Sequence, residues 1–431
     1  MLSLSINNTP KQLILKQLNF DVELDTGTSN LSGAFENVTF NIPNPEVRES
    51  FDTYLPVAEE MKADIIINTD PDADRIGVMV KHKDSWEFLN GNEIGILLTQ
   101  YGISKYKANN LLRNDCVVIK TGVTTSLIEK ITQENNIQCI PDLLVGFKYI
   151  ADEMSKLEKA NNMQKFILGI EESHGFIIGN YSRDKDAACA AVWISELAAE
   201  LKRENKTLVD YLNEIYAQYG YCYNYLAEIR LVGAKGMEHI ALIMDHLRKK
   251  DIDSLNGSKV NGKIDRWDGK PFLSPTDKAS RNVLIFHCDN VPNTQSVRII
   301  VRPSGTESKL KIYVEVFGKP CTLENLQAEQ DKIVSVSENL EKAFMQYCYK
   351  ILNVDFPERG FLLFWQLPLD VKLRYFKIEE QIASLKSLSD KETRIEKLDK
   401  LLRFLGANPI EKVDNAFSNK YNVGIREYLK L

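Results

Sequence analysis

The sequence predicts a multidomain α/β protein that ends in a helical extension, and three observations lead there. Strand-like apolar runs alternate with helix-length amphipathic segments up to about residue 220. From residue 221 the composition turns to β-strands with intervening helices, and beyond Asn353 only helical periodicity remains. A chain of 431 residues has room for about three or four domains. Boundaries are expected to separate segments 1–82, 83–220, 221–352 and 353–431.

Composition narrows the function classes. Hydrophobic residues make up 44% and charged residues 26%, as in ordinary globular proteins. A net charge of -6, with no arginine- or lysine-rich stripe, argues against a nucleic-acid partner. Cys116, Cys139, Cys189, Cys222, Cys288, Cys321 and Cys348 are scattered and never form a CxxC pair, so they read as reduced core residues. There is no basic-then-apolar leader and no apolar run of membrane-spanning length. The expectation is a cytoplasmic protein with no membrane partner.

In the first segment an apolar run and a polar stretch through Asn30 lead to Asn41-Ile-Pro-Asn-Pro45. A helix is expected over 46–61, with Phe51, Leu55, Val57, Ala58 and Met61 on its apolar face, feeding a strand at 65–67. The second segment should hold a helix from Glu93, a strand over 116–119 and a helix after Thr124-Thr125-Ser126. A strand at 166–168 and an alanine-rich helix over 186–202 complete it. In the third, strands are expected over 297–301 and 310–316. The second alternates Leu310, Ile312, Val314 and Val316 with Lys309, Lys311, Tyr313 and Glu315, which predicts one buried face. A long helix over 323–351 follows.

The last segment opens on Phe361-Leu-Leu-Phe-Trp365 and continues with two amphipathic helices. Ile378, Ile382 and Leu385 mark the first, and Ile395, Leu398, Leu402 and Leu405 the second. Ser389 and Glu392 suggest a capping box, and Gly406 a stop. Such a hairpin would cover its own core or the body of the protein. Phe361, Phe364 and Trp365 could alternatively dock a partner chain.

Three loops have the residues for chemistry. Asn68-Thr-Asp-Pro-Asp-Ala-Asp-Arg75 sets three carboxylates at alternate positions between the strand at 65–67 and Ile76–Val80. Clustered anions repel unless a cation gathers them, and an oxygen-only set suits Mg²⁺. An EF-hand would need Gly and Glu where Arg75 and Lys81 stand, so the alternative is a solvated acidic turn. In Arg302-Pro-Ser-Gly-Thr-Glu-Ser-Lys309, small and hydroxyl residues between two cations suit a phosphate dianion, or a plain polar hairpin. Gly169-Ile-Glu-Glu-Ser-His-Gly-Phe176 places a carboxylate and a hydroxyl where adjacent sugar hydroxyls could be gripped, or forms a surface loop. Arg183 and Lys185 could meet a phosphate or pair with Asp184 and Asp186. His174 reads as a simple loop residue. No GxxxxGK[ST] or GxGxxG occurs.

In order, these motifs resemble the α-D-phosphohexomutases, the phosphoglucomutase/phosphomannomutase family. Asp70-Pro-Asp-Ala-Asp-Arg75 resembles the metal loop, Gly169-Ile-Glu-Glu-Ser-His-Gly175 the sugar loop and Arg302-Pro-Ser-Gly-Thr-Glu307 the phosphate loop. Pro43-Asn-Pro-Glu46, Gly91-Asn-Glu93, Gly146-Phe-Lys148 and Arg183-Asp-Lys-Asp-Ala187 support them, so the likeness covers roughly residues 1–350. The Glu-Glu-Ser form is more similar to the glucose- and pentose-phosphate mutases.

The resemblance implies that 1–82 and 83–220 are the family's second and third α/β domains and 221–352 its fourth, TATA-binding-protein-like α+β domain. It implies phosphoryl transfer between the C1 and C6 oxygens of a hexose phosphate, or C1 and C5 of a pentose phosphate, through a phosphoserine and a bisphosphate intermediate. Asp70, Asp72 and Asp74 would hold Mg²⁺, with Arg75 beside the transferring phosphate. Glu171, Ser173 and Lys148 would bind the sugar. Arg302, Ser304, Gly305 and Thr306, with Lys185 and Arg183, would bind phosphate, and a glucose 1,6-bisphosphate-type activator is implied. The family's Thr/Ser-Ala-Ser-His-Asn-Pro motif is not found, and Val145 stands where Thr usually precedes Gly-Phe-Lys. A truncated chain is therefore expected, lacking the catalytic-serine domain, with that domain on a partner polypeptide or lost at a gene break. The alternatives are a sugar-phosphate-binding protein without turnover and an interaction protein whose working part lies beyond Asn353.

Overall fold

A computed structural model of the chain describes residues 3–6, 14–24, 33–271, 274–289, 291–305 and 307–431. They fall into two units, Met1–Cys222 with Phe317–Asp331, and Tyr223–Val316 with Lys332–Leu431.

The first unit contains two mixed sheets. One comprises β1 (Ser3–Ile6), β2 (Asp21–Leu24), β3 (Ile65–Thr69), β4 (Ile76–His82) and β5 (Ser85–Leu89), in the order β2-β1-β3-β4-β5. β1 runs parallel to β2 and β3, while β4 and β5 add antiparallel. All five residues of β3 are buried, as a continuous isoleucine run demands. Thr69 pairs with Ile76, so residues 70–75 form the turn between β3 and β4. The helix expected over 46–61 is instead a 3₁₀ turn at Arg48–Phe51 and a short α-helix at Leu55–Glu60. Pro56 explains the break: it has no N–H to bond backwards and its ring restricts Leu55, so it opens a new helix.

The second sheet is built from β6 (Val117–Thr121), β7 (Gln138–Leu143), β8 (Phe166–Glu171) and β9 (Gly175–Ile178), in the order β7-β6-β8-β9. β6, β7 and β8 are parallel and β9 closes one edge antiparallel. The alternation of strands with helices Gly91–Ala108, Leu127–Glu134, Phe147–Lys159 and Ala187–Arg203 gives this pattern. Asn90 and Glu93 form a reciprocal capping box that starts the first of these helices. β8 runs three residues past the expected 166–168, so the first half of the expected sugar loop is strand.

The strands lying wholly or mainly in the second unit are β10 (Cys222–Arg230), β11 (Ser254–Leu255), β12 (Ser258–Asp265), β13 (Leu284–Asp289), β14 (Thr294–Pro303) and β15 (Lys309–Gly318). Their order is β10-β15-β14-β13-β12-β11. Tyr313 and Glu315, expected on an open face, are buried; Glu315 accepts two hydrogen bonds from Arg298 at 2.6 and 3.1 Å. That ion pair is what lets a charged residue sit inside the sheet. The helix after it spans Leu323–Ile351, as the periodicity predicts.

The extension forms its own core, from Leu363, Leu367, Tyr375, Ile382, Leu385, Leu398, Leu402, Phe417 and their neighbours. Helices Leu369–Ser384 and Lys391–Leu402 lie where two were expected, and Asp414–Tyr421 and Ile425–Leu429 were not foreseen. Two details differ. Asp390, not Ser389, caps the second helix by accepting from Thr393 N at 2.6 Å. Ile395 is 39% exposed and leaves the core to Leu398 and Leu402. None of the seven cysteines is in a disulfide among the described residues, and none of the helices described is long and apolar enough to cross a membrane.

Glu379 lies in that core, accepting from Arg359 at 2.6 and 2.8 Å, from Lys420 at 3.2 Å and from Tyr375 OH at 3.1 Å. Burial raises its pKa, but these partners outweigh burial and hold it below 4.5. A carboxylate depressed in the folded state stabilises it above the unfolded value, and that contribution disappears as pH falls through the folded one. Arg359→Ala leaves Glu379 buried with fewer partners, and should cost about 3 kcal/mol at pH 7. Urea titrations should show the wild-type advantage at pH 7 shrinking below pH 4.5; an advantage independent of pH would contradict the ion-pair account.

Candidate functional site

Asp70 organises the turn after β3. Its Oδ1 accepts the N–H groups of Asp74 and Arg75, both at 3.1 Å, and its Oδ2 accepts Arg75 Nε at 2.6 Å. Ala73 takes φ 61°, so the chain doubles back and brings Asp74 towards Asp70. Asp70 is 2% exposed, Asp74 is half-buried and Asp72 is open to solvent. One oxygen from each of the three lies within 4.8 Å of the others. A wholly solvated acidic turn would not bury its first carboxylate.

Burial raises both inner carboxyls. At Asp70 the hydrogen bonds and charge of Arg75 more than reverse that, whereas at Asp74 the Lys185 ammonium offsets it only in part. The Oδ1 of Asp74 is buried without a hydrogen-bond partner. Arg75 Nε lies 3.7 Å from it, and a carboxylate oxygen left without a hydrogen bond among three acids is the donor chemistry of a hard divalent cation, so these residues fit Mg²⁺.

Arg75 is held from its far side, its Nη1 donating to Glu46 Oε1 at 2.9 Å and Asn44 Oδ1 at 3.4 Å. Pro43 to Glu46 thus has a definite use: it fixes the guanidinium beside the acids.

The β8–β9 hairpin is joined to this turn. Arg75 forms an antiparallel bridge with Gly175, and Ile76 N donates to His174 O at 3.1 Å. His174 is 3% exposed and its Nδ1 lies 2.8 Å from Ile76 O, so it is a buried strut rather than the simple loop residue expected. Burial lowers its pKa below 6.5, which leaves a neutral ring. Its partner lies 98 positions upstream, where no local sequence signal reaches.

Lys185 Nζ reaches Asp74 Oδ2 at 2.9 Å, passing so close to Gly175 that a Cβ there would sit 2.2 Å from Lys185 Cδ. Glu171, 6% exposed at the end of β8, accepts from Gly146 N at 3.1 Å. Gly146, at φ 126°, takes a conformation other residues resist. Glu171 also adds to the negative field that keeps Lys185 protonated, although burial opposes it.

Asp70, Asp74, Arg75, Glu171 and Lys185 therefore share one neighbourhood. Ser173 is half-buried in the three-residue hairpin turn, and Lys148 is exposed, its Nζ 5.0 Å from the Tyr149 ring centroid. Arg183 turns elsewhere, pairing with Glu158 at 2.8 Å and bonding the carbonyls of Asn180 and Ser182.

In the second unit the loop between β14 and β15 is tight. Ser304 N donates to Lys309 O at 2.8 Å and Lys309 N to Glu307 O at 2.8 Å. Arg302 Nε donates to Tyr313 OH at 3.3 Å, Ser304 is half-buried and Gly305 is exposed. Thr306 lies outside the described residues.

Comparison with known proteins gives a consistent result. Residues 7–83, 90–219 and 293–333 match the family models for phosphoglucomutase/phosphomannomutase domain II, domain III and the C-terminal domain. Phosphoglucomutase of Staphylococcus aureus strain MSSA476 is 34% identical over 281 residues, covering 63% of this chain and 48% of the relative. The phosphoglucomutase of strain MRSA252 matches to the same extent. The chain thus spans about half the length of these curated relatives. Among solved structures, the open form of the Paramecium exocytosis-sensitive phosphoprotein pp63/parafusin, a phosphoglucomutase, aligns with a TM-score of 0.51. It is 18% identical and covers 83% of this chain and 59% of that one, which shows the fold.

Proposed function

We propose, for a chain that belongs to the phosphoglucomutase/phosphomannomutase family, a Mg²⁺-dependent intramolecular phosphoryl transfer on a hexose or pentose phosphate such as glucose 1-phosphate. The observation that carries this reading is the junction of the acidic turn with the β8–β9 hairpin, which sets three carboxylates, Arg75, Lys185 and Glu171 side by side.

Asp70, Asp72 and Asp74 hold the cation in this proposal. When bound, Mg²⁺ neutralises phosphoryl charge during transfer. Arg75, restrained by Asp70 and Glu46, orients a planar fork of donors toward a phosphoryl oxygen. Lys185 stays charged beside Asp74 and adds a second cation. Glu171 and Ser173 accept and donate to sugar hydroxyls, with Lys148 at the rim. Arg302, Ser304, Gly305 and Thr306 anchor the phosphate that does not react, so that its binding energy positions the other end. Segments 1–82, 83–220 and 221–352 act as the family's second to fourth domains. The nucleophilic serine is supplied by a domain of the family's first type, and a glucose 1,6-bisphosphate-type activator primes the cycle.

The test is a glucose 1-phosphate to glucose 6-phosphate assay with Mg²⁺ and glucose 1,6-bisphosphate, run with this chain, with a separately expressed family first domain, and with both. Turnover in the mixture alone is expected. Binding of glucose 1-phosphate without turnover in any mixture would instead establish a sugar-phosphate-binding protein.

A further inference from the structure

The helical extension reaches the loop that the proposed function assigns to phosphate. Phe356 packs on Tyr349 of helix Leu323–Ile351 with ring centroids 4.5 Å apart, and its carbonyl accepts from Gln346 Nε2 at 2.8 Å. The chain leaving the long helix thus folds straight back against it. Phe364 N then donates to Lys412 O at 2.8 Å, tying the aromatic stretch to the extension's core.

The next residue, Trp365, is half-buried, and the guanidinium of Arg230 lies over its ring, 5.9 Å from the centroid. Arg230 ends β10 and directs Nε and Nη2 at one oxygen of Glu228, each at 2.7 Å. The other oxygen of Glu228 is 3.3 Å from Lys309 Nζ and 4.0 Å from Lys311 Nζ. Lys309 closes the 302–309 loop, and Leu231, just after β10, donates its N–H to Ser308 O at 2.9 Å. A run of direct contacts therefore connects Trp365 to Arg230, Glu228 and the loop's lysine.

Glu228 is 4% exposed, and a buried carboxylate takes whatever cation is nearest. While Arg230 occupies one of its oxygens in a two-pronged contact, the other holds Lys309 at 3.3 Å, and the second carboxylate on Lys309 is that of the exposed Glu307, at 2.5 Å. A guanidinium over an indole face loses freedom and gains electrostatic attraction, so the ring keeps Arg230 in that pose. Lys372, buried in helix Leu369–Ser384, also feels the charge of Arg230. A second residue of the extension thus lies within electrostatic reach of the same cation.

We propose that Trp365 is a positioning residue for the 302–309 loop: by holding Arg230 on Glu228 it weakens the buried carboxylate's hold on Lys309, so that a phosphate monoester has only the exposed Glu307 to displace. This rests on the phosphate role proposed for that loop. The extension then tunes affinity for the anion and does more than shield its own core.

The test uses the full chain labelled with 5-fluorotryptophan, the fluorine resonance lost in Trp365→Phe being that of Trp365. Glu228→Gln, without ligand, should move that resonance, because Arg230 loses its ionic partner. Trp365→Ala should weaken glucose 1-phosphate binding about threefold at low salt, with an unchanged thermal transition, and Trp365→Phe should recover most of the loss. An unmoved resonance in Glu228→Gln, or wild-type affinity in Trp365→Ala, would overturn the proposal. If the unmutated chain binds neither glucose 1-phosphate nor inorganic phosphate, the phosphate role of the loop fails, and the Glu228→Gln spectrum still decides whether Trp365 is coupled to Glu228.

Discussion

Gly91→Ala is expected to lower the thermal transition of the chain by roughly 10 °C, the effect of about 3 kcal/mol in a unit of this size. A Cβ at residue 91 would lie 2.1 Å from Glu172 O and 2.8 Å from His174 N. Both are backbone atoms of the hairpin turn, so no rotamer change relieves the clash. The turn is also pinned from the other side, since His174 O and Nδ1 both contact Ile76. Either helix Gly91–Ala108 or the hairpin must move, and with it the contact between Gly175 and Arg75. Differential scanning fluorimetry measures the outcome directly, and a shift below about 2 °C would mean that the hairpin is pliable.

The second large effect concerns the cation. Mg²⁺ at about 100 times its dissociation constant should stabilise the chain by about 2.7 kcal/mol. Asp72→Asn/Asp74→Asn should cut that gain to about 0.4 kcal/mol and weaken Mn²⁺ binding, followed by electron paramagnetic resonance, roughly 100-fold. Asp70 is left intact in this variant because it also holds the turn, through the N–H groups of Asp74 and Arg75. Without metal the double variant should be no less stable than the wild type, since it removes repulsion between clustered carboxylates at the cost of the Lys185 pair. Equal Mg²⁺ stabilisation of both proteins would refute a metal role for this turn.

Several elements could be read from the sequence because one local rule decided each. Helix Leu323–Ile351 followed from sustained periodicity over many turns, and β3 from an isoleucine run too apolar to face water. The acidic turn was legible because strands on both sides forced it to a sheet end. Local rules failed where two of them competed. Apolar spacing suggested one helix over 46–61, but the missing N–H of Pro56 divided it. Alternation placed Glu315 on an open face, but Arg298 neutralises it inside the sheet. Ser389 and Asp390 both make good caps, and the helix register chose the second.

By itself the sequence determined the strands around 65–67, 76–80, 116–119, 166–168, 297–301 and 310–316, the turns at their ends and the kinds of side chain set there, because these depend on neighbours within a few residues. Only the tertiary structure decided that Asp70 is buried, that Lys185 meets Asp74 past a glycine, that His174 braces Ile76 and that Trp365 covers Arg230. Those pairings join positions tens to more than a hundred residues apart. Sheet register and burial set them, and no periodicity within a segment encodes which distant segment will lie alongside.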